Sequence, residues 1–191
     1  MNNLHDQLKS ATHDAHMKMH EHEFLAPLSG SLDKGQYVEI LKGFYDFYGS
    51  TERVFNAHSK FFEDELTPLK TIEKDFSLLA IKTPPESPEV FEGEDNFSSY
   101  IGYLYVKQGS TLGGQMISKH IEKETGLRKR DQICFFNPYG NETGQKWKKF
   151  LKLLNDTASD IDVDKAVKTA ENTFTHMDNV FYKHLELRVH R

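Results

Sequence analysis

Apolar residues recur at steps of three and four along almost the whole chain, and that spacing confines the fold to helices. Leu4, Leu8, Ala11, Ala15 and Met19 make a first stripe that runs to about His22. A second helix begins at Asp33 and carries Tyr37, Ile40, Leu41, Phe44, Tyr45, Phe47, Tyr48, Val54 and Phe55. A third, shorter one covers about 65–81, with Pro68 tolerated in its first turn. The run Thr83-Pro84-Pro85-Glu86-Ser87-Pro88 then breaks the pattern as a surface loop. A long helix spans about 95–125, the segment 134–140 interrupts, and a further helix covers about 142–157. The last starts near Asp162 and is the most regular, with Val163, Val167, Ala170, Phe174, Met177, Phe181 and Leu185 on one stripe. No strand, repeat or low-complexity segment stands out. The expectation is an all-α bundle forming a single domain over residues 1–191, large enough to enclose a ligand.

One helix contradicts its own propensity. Phe97, Tyr100, Ile101, Leu104 and Tyr105 lead into Gly109-Ser110-Thr111-Leu112-Gly113-Gly114, and Met116, Ile117, His120 and Ile121 carry the stripe on to a stop at Gly126. Each interior glycine costs about 1 kcal/mol relative to alanine, so the three together cost about 3 kcal/mol. Missing Cβ atoms return space. Either another helix packs closely through Gly109 and Gly113, or the backbone lies against something flat and kinks where it crosses it.

Composition narrows the function. A net charge of −5 argues against general nucleic-acid binding, although Lys146, Lys148, Lys149 and Lys152 form a local basic cluster. Cys134 is the only cysteine, which excludes an internal disulfide and a cysteine-built metal site. No apolar run approaches the roughly 20 residues of a membrane span, and the start Met1-Asn2-Asn3-Leu4-His5-Asp6 lacks a secretory pattern, so a cytoplasmic, membrane-free protein is expected. The 14 Phe and 8 Tyr suit either an aromatic core or a pocket for a large flat ligand.

Half of the ten histidines, His5, His13, His16, His20 and His22, fall on the first helix. His16 sits beside the stripe of Leu8, Ala11, Ala15 and Met19. Three readings stay open: a buried, hydrogen-bonded imidazole; a His16–His20 pair at i, i+4 chelating a zinc-type ion; or one imidazole holding a haem iron. Helical oxidases with two metals use Glu-x-x-His pairs, and no acidic residue stands three before any histidine here.

The stretches Leu8-Lys9-Ser10-Ala11-Thr12-His13-Asp14-Ala15-His16 and Tyr105-Val106-Lys107-Gln108-Gly109-Ser110-Thr111-Leu112-Gly113-Gly114-Gln115 resemble the proximal and distal helices of the haem oxygenases, in order and about 95 residues apart. The Phe135-Phe136…Pro138 loop and the basic helix after it are similar too, and the likeness is nearest to the soluble bacterial members. It implies a haem-oxygenase-like bundle holding haem b between the N-terminal helix and a glycine-kinked distal helix. His16 would then be the axial iron ligand, and Gly109, Gly113 and Gly114 would admit the haem face. Lys9, Lys148 and Lys152 would meet the propionates, with Tyr105 or Tyr103 adding a hydrogen bond and Phe136 lying near the ring. The implied reaction opens haem at a meso carbon to biliverdin, CO and ferrous iron. It consumes O2 and electrons from a donor such as a ferredoxin or flavin reductase, for which the lysines offer a docking face, and a monomer suffices.

Two departures stand against that pattern. Ser110 replaces the Asp that animal-type members carry after the first distal glycine, an Asp that many bacterial relatives also lack. His20 replaces the Glu usual four residues after the proximal histidine; a neutral His20 could accept the proximal N–H, but a protonated one could not. The alternative is therefore a non-catalytic haem carrier or sensor on the same scaffold.

Overall fold

The computed structural model describes residues 3–58, 67–85, 87–129 and 131–189. Six α-helices carry the described fold: α1 (Leu4–His20), α2 (Lys34–Phe55), α3 (Pro68–Leu78), α4 (Phe97–Thr125), α5 (Thr143–Thr157) and α6 (Val163–Val189). No strand occurs among the described residues.

The helix ends follow from side chains that satisfy orphan backbone donors. Asn3 Oδ1 accepts from the Asp6 N–H at 2.9 Å at the start of α1, and Asn96 Oδ1 accepts from the Ser99 N–H at 2.9 Å at the start of α4. Asp33 and Gln36 form a reciprocal capping box at the start of α2, with bonds of 2.8 and 2.9 Å. α1 stops at His20, short of the expected His22. There, His22 Nδ1 accepts the Phe24 N–H at 3.1 Å, and a 3-10 turn over Glu23–Leu28 begins. Gly126 closes α4 at φ +69°, a left-handed position that favours glycine. α3 begins at Pro68, its first-turn proline, and the expected start near 65 lies outside the described residues.

α6 is the central column and packs along α4, α1 and α2. Its approach to α4 is set by Gly102, where a Cβ would land on the carbonyl oxygen of Ala166. The core between the layers is aromatic: Phe24 stacks on Phe181 at 4.9 Å, Phe44 meets Phe181 edge-on at 5.0 Å, and Phe55 stacks on Tyr103 at 5.0 Å. No helix of the described residues is long and apolar enough to cross a membrane.

Candidate functional site

α4 is tied to α1 at one place and, farther along, to the segment between α1 and α2. Near the middle of α4, Tyr105 is hydrogen-bonded to the Thr12 side chain. Because Thr12 Oγ1 spends its hydrogen on the Leu8 carbonyl at 2.8 Å, the Tyr105 hydroxyl is the donor. His5 packs edge-on beside this contact, 6.1 Å from Tyr105 and 5.9 Å from Trp147, which is itself 6.5 Å from Tyr105. Farther along, His120 Nε2 is 2.8 Å from the Gly30 carbonyl, between the 3-10 turn Glu23–Leu28 and α2. His16 stands one turn past Thr12, and Gly109 one turn past Tyr105, so both follow the same contact.

The glycines divide by what surrounds them. A Cβ on Gly109 would meet nothing within 4 Å, and one on Gly113 only the Ile117 Cδ1 at 4.0 Å. Close helix packing through that pair is therefore excluded, and the two face open space. Gly114 is different: a Cβ there would land on the Phe136 carbonyl oxygen, so its smallness serves packing. α4 is drawn as one helix through all three, without a break at Gly114. On the same stretch of α4, Leu112 is 45 % exposed and Met116 78 %, an apolar surface in want of a cover.

His16 is exposed, with its ring edge-on to His20 at 4.6 Å and to Phe174 of α6 at 6.1 Å. The surrounding protein, then the nearby His20 and His13, hold its pKa below the ordinary value, which favours the neutral imidazole that a metal requires. It is not a buried, hydrogen-bonded core histidine. Nor do three or more His, Cys, Asp or Glu residues gather into a metal-binding group anywhere among the described residues. Lys9 lies two turns before His16 on the same face of α1, exposed.

Lys148 and Lys152 are exposed on α5, and the His5–Trp147 contact sets Lys148 at the Lys9 end of α1. Lys152 is already paired with Asp156 at 2.6 Å. Of the two tyrosines expected to reach a ligand, Tyr103 points the wrong way. It is fully buried, stacked on Phe55 and hydrogen-bonded by Thr51 Oγ1 at 3.4 Å. Phe136 is buried behind α4, against Phe44 at 5.7 Å and Tyr37 at 6.3 Å. Its loop is pinned by Asp75 of α3, which accepts the Cys134 and Phe135 N–H groups at 2.7 and 2.9 Å and the Tyr37 hydroxyl at 3.3 Å. Burial raises the Asp75 pKa in spite of those bonds.

Two residues of α2 went unnoticed in the sequence. The Tyr48 hydroxyl, fully buried, is hydrogen-bonded to Ser110. Ser110 Oγ also donates to the Lys107 carbonyl at 2.8 Å, so Tyr48 is the donor to Ser110. One turn on, burial pushes the Glu52 carboxyl up to about 7, against the opposing pull of Lys107 and the Leu69 N–H. The signal was present: a lone carboxylate at i+4 from Tyr48 and three residues before Phe55, within an aromatic stripe.

The sequence model described as heme oxygenase matches residues 2–183, and the chain belongs to that family, whose members are haem-degrading enzymes. Among solved structures, the NO- and CO-bound heme oxygenase of Neisseria meningitidis aligns with a TM-score of 0.73 at 21% identity, covering 96% of this chain and 92% of that one. The heme oxygenase of Leptospira interrogans aligns with a TM-score of 0.74 at 18% identity, covering 95% of this chain and 100% of that one. These likenesses establish a shared fold. No protein of curated function matches the sequence.

Proposed function

We propose that the chain binds haem between α1 and α4 and converts it, with O2 and external electrons, to biliverdin, CO and ferrous iron. The observation that carries this reading is the open glycine stripe. Gly109 and Gly113 cost about 2 kcal/mol of helix propensity without packing against another helix, and Gly109 lies one turn past the contact that His16 also follows. A flat ligand accounts for that expense; an apo helix surface does not.

The residues present fit haem b. His16 would hold the iron, and its bias toward the neutral form supplies the lone pair. The bound haem supplies an iron at which oxygen is activated and a ring that is itself the substrate. The open backbone at Gly109 and Gly113 would admit the ring face. Ser110 Oγ, supported by Tyr48, is the hydroxyl on this face able to pass a proton into the site. Lys9 and Lys148, at one end, would draw the propionates to that end and fix the ring's rotation. Each such exposed pair is worth only about 1 kcal/mol, so orientation depends on several acting together. Tyr105 would contribute from the donor role it now fills at Thr12. The α5 lysines also suit an acidic electron donor such as a ferredoxin.

The test is to add one equivalent of hemin to the purified protein, then ascorbate or a ferredoxin system in air, and follow the visible spectrum. The Soret band should form and then decay into a broad red bilin absorption, and His16→Ala should abolish the decay. A Soret band that persists through reductant and oxygen would mean a haem carrier or sensor, with the Ser110 and His20 departures as its cause.

A further inference from the structure

We infer that His16 and His20 together form a metal-ion site on α1, which takes a divalent imidazole-seeking cation such as Zn2+ or Cu2+ and excludes haem while the ion is held. The inference rests on the proposed haem reading and adds a regulation of that same site.

The two residues stand four apart on α1, so their side chains lie on one face, one turn from each other. Their ring centroids are 4.6 Å apart and their planes nearly perpendicular, at 88°. An imidazole nitrogen binds zinc at about 2.0–2.1 Å, which sets the centroids of two rings sharing one ion roughly 4.5–5 Å apart. The pair already stands at that separation. A histidine pair at i, i+4 is also the spacing by which zinc is held on the face of a helix. Both side chains are exposed, so an ion reaches them from solvent. No hydrogen bond from another described residue occupies either ring, and each neutral imidazole keeps one nitrogen lone pair to offer.

The neighbours leave that place to a cation. Lys18 lies two residues from each histidine, across the helix, and Asp178 Oδ2 holds its ammonium at 2.7 Å. On α6, the ring facing His16 is that of Phe174 at 6.1 Å, which offers the ion no competing donor. Burial, then His20 and His13, favours the neutral form of His16. Two imidazoles that repel when protonated are drawn together by a shared ion. No third His, Cys, Asp or Glu completes the group among the described residues, so water takes the remaining positions. Two protein ligands and open positions make an exchangeable site, not a structural one.

Exclusion follows from the single lone pair of a neutral imidazole. While His16 gives it to the ion, none is left for a haem iron, and His20 completes the chelate that holds the ion there. Haem and metal therefore bind in alternation. Only coordination bonds form and break, and no electrons move.

The experiment starts from the untagged chain without haem. Calorimetric titration with Zn2+ should show one site that weakens at least tenfold in His16→Ala and in His20→Ala and is unchanged in His13→Ala. Electron paramagnetic resonance of the Cu2+-loaded chain should show coupling to two imidazole nitrogens, and to one in His20→Ala. Hemin titrations then read the competition. At free Zn2+ ten times its own Kd for wild type, the apparent hemin Kd of wild type should rise about tenfold, and that of His20→Ala no more than about twofold. Absence of Zn2+ binding in wild type, full binding in His20→Ala, or its loss in His13→Ala would overturn the site. A wild-type hemin Kd unmoved by Zn2+ would overturn the exclusion. Zn2+ binding at the pair with no Soret band on adding hemin would overturn the haem reading and the exclusion with it, and would uphold the metal site.

Discussion

Replacing Gly109 by alanine should stabilise the protein without haem while weakening its hold on haem. A Cβ at this position meets no atom within 4 Å, so the methyl costs nothing in contacts. The helix gains the Gly-to-Ala propensity difference of about 0.5–1 kcal/mol. For a chain of this length that corresponds to a rise of about 1–4 °C in Tm. Gly102→Ala is the control. Its methyl would land on the Ala166 carbonyl oxygen and crowd the Ala170 nitrogen, both backbone atoms that yield only if α4 and α6 separate. Overpacking of that kind costs about 1–3 kcal/mol, which outweighs the propensity gain. Urea unfolding of the haem-free protein should therefore place Gly109→Ala above wild type and Gly102→Ala below it. Hemin titration should show at least a tenfold loss of affinity for Gly109→Leu, with Gly109→Ala intermediate. If Gly109→Ala destabilises as Gly102→Ala does, or Gly109→Leu binds hemin as wild type does, the open stripe is not the ligand face.

Other outcomes follow from the buried carboxylates and the basic helix. Glu52 keeps its proton to about 7 in the folded chain and only to 4.5 when unfolded, so the folded state binds more protons between those values. Stability should fall as pH rises through that window, by about 3 kcal/mol from this group, and Glu52→Gln should flatten that slope in urea titrations at pH 5, 6, 7 and 8. Asp75→Ala leaves the Cys134 and Phe135 N–H groups without their acceptor and should cost about 3 kcal/mol in chemical unfolding. It should also weaken hemin binding by freeing the loop that backs Gly114. Lys148→Ala alone should change hemin affinity less than about fivefold, whereas Lys9, Lys148 and Lys152 replaced together should scatter the bilin isomers found by chromatography.

Much of this architecture is visible in the periodicity, because helices of this length bury an apolar stripe whose spacing is local. What joins the helices is not local. Gly109, Gly113 and Gly114 are the same residue within one segment, yet only Gly114 serves packing, because its partner is a carbonyl in the loop held by Asp75. Gly102 attracts no notice in sequence but governs the α4–α6 crossing. Tyr103 and Tyr105 are two residues apart and therefore point to different sides, one into the core and one to Thr12. The proximal histidine was legible from its neighbours; the Tyr48–Glu52 pair behind the distal face needed the placement of α2 against α4.

A crystal structure of the hemin complex tests the central claim most directly. The account predicts iron on His16 Nε2, with the opposite ring face against the backbone of Gly109 and Gly113. Iron held by His20 or His13, or haem seated away from the glycine stripe, would contradict it.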